Sequence, residues 1–127
     1  MTVAREAIAM PREELLAFLG AQRWVALATL DPDGTPAGEI APAVLDGERL
    51  CFAVARGSRA HDNVERDPRV ACAADEFPSY YETRGATAHG RAARRPGPAR
   101  LGPDWVEYTI PLDDVFSFDF RKIRRQY

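Results

Sequence analysis

Lysine is almost missing from this chain: the 127 residues contain one, Lys122, against sixteen arginines. We read that bias as genomic base composition, and its consequence is that nearly every cation is a planar guanidinium that stays charged. Histidine and cysteine are scarce, with two of each, and neither pair has the spacing of a zinc or iron–sulfur site. Cys51 and Cys72 lie in apolar runs, where they read as small buried hydrophobes of a reducing compartment. No apolar run approaches the roughly 20 residues that span a bilayer. The N-terminal MTVAREAIAMPREE carries acidic residues and lacks the apolar core of a signal peptide. From these absences we expect a cytoplasmic protein with neither a helical membrane span nor a secretory leader. Also missing are a nucleophile paired with a base, a carboxylate dyad and a phosphate-binding Walker loop, so no residue is assigned as catalytic.

What is present is ordinary for a soluble domain. Apolar residues make up 46% and charged residues 28%, and the length suits one domain over 1–127. A formal net charge of −2 gives no reason to expect nucleic acid as a partner. The charge is uneven, with eight basic and fourteen acidic side chains in residues 1–83 and nine basic and five acidic in 84–127. Solvated faces are the default account of such a skew.

The order of elements is legible from turn chemistry. Residues 11–22 read as a helix, with Pro11 at its first position, Glu13 and Glu14 in the first turn, and Leu15, Leu16, Phe18 and Leu19 on one face. Strands follow at 23–30 and about 37–45, separated by the Asp31-Pro32-Asp33-Gly34 turn. Asp46-Gly47 is a hairpin signal, and 49–55 is the third strand. A short helix is expected at about 59–66, then strands at 70–74, 79–94, 105–110 and 115–120. Gly85 and Gly90 suggest a bulge or a close backbone approach in the long fifth strand. Six to seven short strands with an N-terminal helix and a short helix after strand three imply a mainly β fold, a small antiparallel split β-barrel.

The stretch with most chemistry is VARGSRAHDNVERDPRV, residues 54–70. Gly57 permits close backbone approach, the following helical turn presents free N–H groups, Ser58 adds a hydroxyl, and Arg59 adds a charge. Arg56 could add a second guanidinium able to grip a phosphate through two hydrogen bonds. The plain alternative is a capped turn in which Ser58 serves the helix N-terminus.

Taken with VALATLDPDGTP (25–36) and LDGERLCFAV (45–54), this stretch resembles the pyridoxamine 5′-phosphate oxidase-like family of FMN-binding split barrels. The resemblance covers about residues 11–95. It implies a homodimer with one FMN per protomer at the interface and a flavin-dependent oxidoreduction of a small-molecule substrate. Within it, Ser58 and Arg59 match the phosphate-contacting pair, Asn63 packs the short helix back, and Ala28 and Thr29 fall in the strand that approaches the ring. The pattern departs at three positions: Ala60 stands where a second cation is frequent, Val54 where a threonine is frequent, and Glu39 where the oxidase proper has an arginine. A deazaflavin coenzyme, whose anionic tail would suit Arg94, Arg95 or the C-terminal arginines, is the alternative within the fold. A haem ligated by His61 or His89 is another, as is a cofactor-free dimeric module. His61 lies beside the proposed phosphate site. Tyr80, Tyr81 and Trp105 are candidates to stack on a ring, and Arg121, Lys122, Arg124 and Arg125 to close over an anion.

Overall fold

The computed structural model describes residues 5–125, with side chains described for 6–123. Eight strands form a single antiparallel sheet that curls into a half-barrel, in the order β6-β7-β3-β2-β1-β4-β5-β8. Their ranges are β1 Trp24–Leu30, β2 Pro36–Asp46, β3 Arg49–Ala55, β4 Arg69–Glu76, β5 Arg84–Arg91, β6 Ala93–Arg94, β7 Trp105–Pro111 and β8 Val115–Asp119. The helices are α1 Arg5–Ile8, α2 Arg12–Gly20 and α3 Arg59–Arg66.

The long β2 makes the split. Its first seven residues, Pro36 to Pro42, pair with β1, while Ala43 to Asp46 pair with β3. One strand thus belongs to both halves. Alternation then gives the sheet two faces. Val25 and Leu27 of β1, Leu50, Phe52 and Val54 of β3, and Val106, Tyr108 and Ile110 of β7 all turn inward and are buried. Phe18 and Leu19 of α2 and Val64 of α3 complete this core, each large apolar side chain contributing roughly 1.5–3 kcal/mol by burial. The curl brings β7 back over β5, where a Cβ on Gly90 would lie 3.3 Å from that of Ile110. Gly90 is therefore a close backbone approach, as its place in the pattern suggests.

The expected count of six to seven strands becomes eight because the run 79–94 does not stay in one place. Tyr80–Glu82 forms a 3-10 turn braced by the Thr83 hydroxyl, which donates to the Ser79 and Tyr80 carbonyls. β5 then pairs with β4 and β8. At Ala92, whose N–H donates to the Pro68 carbonyl, the chain crosses to the other half of the sheet, and β6 pairs with β7. One expected strand is thus a turn and two strands. Among the described residues no helix is long and apolar enough to cross a membrane.

Candidate functional site

The Asp31-Pro32-Asp33-Gly34 turn and the start of α3 meet at one corner of the half-barrel. Ser58 caps α3 by accepting the His61 N–H at 3.2 Å, and the Gly57 N–H donates to His61 Nδ1 at 2.9 Å. Gly57 itself has φ +78°, a left-handed conformation that favours glycine. The capped turn and the side chains proposed for an anion therefore coexist at this corner.

Arg59 is not free. Its Nε donates to Asp31 Oδ1 at 2.8 Å and its Nη2 to Oδ2, a two-point pair of the kind that guanidinium and carboxylate planes favour. Arg59 and then Asn63 hold the Asp31 carboxyl at a pKa of about 2. The Asp31 side chain is 16% exposed, but that of Arg59 remains 69% exposed. The pair uses Nε and Nη2 of the guanidinium and leaves Nη1 without a hydrogen bond among the described residues.

Behind this pair lies a buried polar network. Asn63, 2% exposed, donates from Nδ2 to Thr29 Oγ1 and to Asp31 Oδ1, both at 3.0 Å. Its own Oδ1 accepts from Arg66 Nη2 at 2.9 Å, and the same Arg66 nitrogen donates to the Leu30 carbonyl. Asn63 thereby ties α3 to the end of β1. Buried polar groups are tolerated when fully partnered in this way, and no unpartnered buried side-chain polar atom occurs among the described residues.

Thr29 and Ala28 consequently face opposite sides of β1. Thr29 points inward to Asn63, whereas Ala28 lies on the outer face opposite Gly38 of β2 and Ala71 of β4. Ala26, Ala28, Gly38, Ala71 and Ala73, with Ile40 at one side, line a shallow depression of about 510 Å³. Trp24, Ile40 and Val44 stand on the same face with exposures of 59%, 67% and 43%. Leu27 and Glu39 also border the depression; Glu39 pairs with Leu27, so strand alternation puts its side chain on the face opposite Ala28 and Gly38, and the residue is exposed.

The other candidates disperse. Arg56 leaves the corner, donating from Nε to the Pro103 carbonyl at 2.9 Å. It lines a cavity with Arg94, Arg95 and Trp105. His89 sits on β5 opposite Ala71 and is exposed. Tyr80 and Tyr81 form an edge-to-face pair, and Tyr80 also contacts Phe120. Arg121 pairs with Asp119 at 2.6 Å and Lys122 with Glu14 at 3.0 Å. The side chains of Arg124 and Arg125 lie outside the described residues. Two participants had no signal in the sequence as functional groups: Asp31, legible only as a turn residue, and Arg66, legible only as a helix cation.

The profile of the pyridoxamine 5′-phosphate oxidase family matches residues 11–125. The chain belongs to that family. No curated protein sequence matches it. Among solved structures, this family member is similar to a conserved hypothetical protein of Mycobacterium tuberculosis at 22% identity and a TM-score of 0.85, covering 97% of this chain and 93% of that one. It is similar to an F420 reductase at 23% identity and a TM-score of 0.64, covering 78% and 93%. It is also similar to the haem storage protein HutZ of Vibrio cholerae at 18% identity and a TM-score of 0.67, covering 84% and 93%. At these identities the likeness establishes the split-barrel fold. Relatives of one fold hold different cofactors, so the choice rests on the residues of this member.

Proposed function

We propose that the protein is a homodimeric flavin-dependent oxidoreductase acting on a small molecule. It would hold FMN between two copies, with the phosphate at the Ser58–Arg59 corner and the ring on the outer face of β1, β2 and β4. The observation that carries this reading is the outer face itself. Five positions without a side chain beyond Cβ make a flat apolar floor, which suits a planar fused ring. Asp31 lies one residue past the end of β1 and three residues past Ala28, or about 10 Å at the usual strand rise, so floor and corner can be reached by one ligand. Exposed Trp24, Ile40 and Val44 beside the floor favour burial against a second copy, since an apolar patch on one sheet face is unfavourable in water.

The corner fits an anion with one modification. The Nη1 edge of Arg59 and the Ser58 hydroxyl are the available donors, while Asp31, Asp33 and Asp62 line the same depression and oppose a phosphate. Arg66 lines that depression too, with its Nη2 held by Asn63 and the Leu30 carbonyl; with Ala60 and Val54 supplying no further donor, affinity rests chiefly on the Arg59 guanidinium. When bound, a flavin ring supplies the hydride chemistry, and the protein supplies binding, orientation and exclusion of water.

The test is an absorbance spectrum from 300 to 600 nm of the purified protein after FMN is added and unbound ligand removed by gel filtration. A retained flavin spectrum in a dimeric peak is expected. A colourless dimer that instead retains a deazaflavin would move the assignment to the F420-type coenzyme, and a Soret band lost on changing His61 or His89 would move it to haem. A colourless monomer overturns the reading.

A further inference from the structure

Arg56 and the consecutive Arg94 and Arg95 line one cavity although they come from two distant places in the chain. Arg56 follows β3 and is held by the 96–104 loop, its N–H donating to the Asp104 carbonyl at 2.8 Å. Arg94 ends β6, and its guanidinium lies 6.0 Å from the Tyr108 ring centre. Arg95 is anchored through its N–H to the Glu107 carbonyl at 2.9 Å. The three line a cavity of about 340 Å³ that Trp105 and the glycines of the loop also border.

The acidic groups nearby are already committed. Glu107, 5% exposed, accepts from the Arg100 N–H and, at 3.2 Å, from the Cys51 thiol. That carboxylate and burial push the Cys51 thiol up to about 12, with burial the larger cause. Asp46 is shared, 3.0 Å from Arg100 and 3.8 Å from Arg95. Glu65 accepts the Tyr108 hydroxyl. Arg56 and Arg94 have no carboxylate within ion-pair distance among the described residues. Arg95 has Asp46 as a counter-charge and Glu107 also borders the cavity, but three guanidinium groups against these two carboxylates leave a net positive charge, and an anion of two or more charges offsets it while accepting their forked hydrogen bonds.

We propose that Arg56, Arg94 and Arg95 form a second anion site, separate from the Ser58–Arg59 corner, which takes the phosphoryl group of a small molecule beside Trp105. The site does not depend on a flavin being bound. Its position next to one of only two tryptophans makes it observable. In a Trp24→Phe background, titration with inorganic pyrophosphate at constant ionic strength should change Trp105 emission along a saturating curve. Arg94→Ala removes a side chain with no hydrogen-bond partner among the described residues, so the fold should survive, and it should weaken pyrophosphate binding at least about tenfold. Arg94→Lys should weaken it less, and Arg59→Ala should leave it unchanged. A response that chloride reproduces, or equal affinity in Arg94→Ala, overturns the site. A loss confined to Arg59→Ala overturns it too, because the anion would then sit at the other corner.

Discussion

Arg56 directly follows β3 and Arg59 opens α3 three residues later, yet they meet opposite electrostatic conditions. Arg59 turns toward the β1–β2 turn and is neutralised by Asp31, in a depression that also holds Asp33 and Asp62. Arg56 turns toward the 96–104 loop and lines a cavity with Arg94 and Arg95, where Asp46 pairs with Arg95 and Glu107 is engaged by Arg100, and neither lies within ion-pair distance of Arg56. The difference teaches that the charge of a side chain and the charge it can offer a ligand are separate quantities. The first is a property of residue type, and the second depends on which carboxylates the fold has brought within about 4 Å.

The comparison is broken most severely at Asn63. Replacing it by Ala removes a buried amide that partners Thr29, Asp31 and Arg66. It should cost about 3 kcal/mol in urea denaturation, and it should loosen the Arg59 corner while leaving pyrophosphate-induced Trp105 emission in place. If both sites fail together, the two regions are not independent.

A smaller effect is expected at Arg59. Arg59→Ala should weaken FMN binding about tenfold by equilibrium dialysis, with no loss of fold because the side chain is exposed. Equal affinity would remove the phosphate from this corner. The opposite change should follow at its partner: Asp31→Asn frees the guanidinium from a competing carboxylate, and FMN binding should tighten by about threefold.

Asp31 also predicts an acid response. Its carboxyl is held at about 2 by Arg59 and then by Asn63, against about 3.9 for an unfolded aspartate. A lowered folded pKa means that the pair's contribution to stability is fully present above about pH 4 and is lost as pH falls toward 2. Melting temperature followed across that window should fall less in Asp31→Asn than in the parent. An unchanged slope would mean that the ion pair does not persist in solution.

The smallest effect is expected at Glu39. It borders the depression, but alternation puts its side chain on the face of Leu27 and not on that of Ala28 or Gly38, so Glu39→Arg should alter FMN affinity by less than about threefold. A large gain would put the ring on the other side of β1 and reverse the assignment of the outer face.

Much of the strand order was legible because its signals are local. The third strand is found at the residues its pattern indicates, Arg49–Ala55, between an Asp-Gly hairpin and Gly57, and α3 occupies Arg59–Arg66 as its cap and apolar spacing suggest. The run 79–94 misleads because its alternation carries no record of the crossing at Ala92. Its Gly85 is explained by a residue far along the chain: a Cβ there would lie 3.0 Å from the Phe118 ring. Of the candidate site, Ser58, Arg59 and Asn63 were visible as a motif. Asp31, 28 residues before Arg59, was visible only as part of a turn.

By itself the sequence determined a mainly β chain of short antiparallel strands, where the turns fall, and a capped helix that carries a serine and an arginine behind a glycine. These follow from φ preferences, side-chain alternation and capping, all of which act within a few residues. Only the tertiary structure decided that Thr29 would face Asn63 while Ala28 faces outward, that Asp31 would claim Arg59, and that Arg56 would join two arginines from beyond β5. Those outcomes depend on which strands become neighbours when the sheet curls, and electrostatic partners are chosen by distance in space.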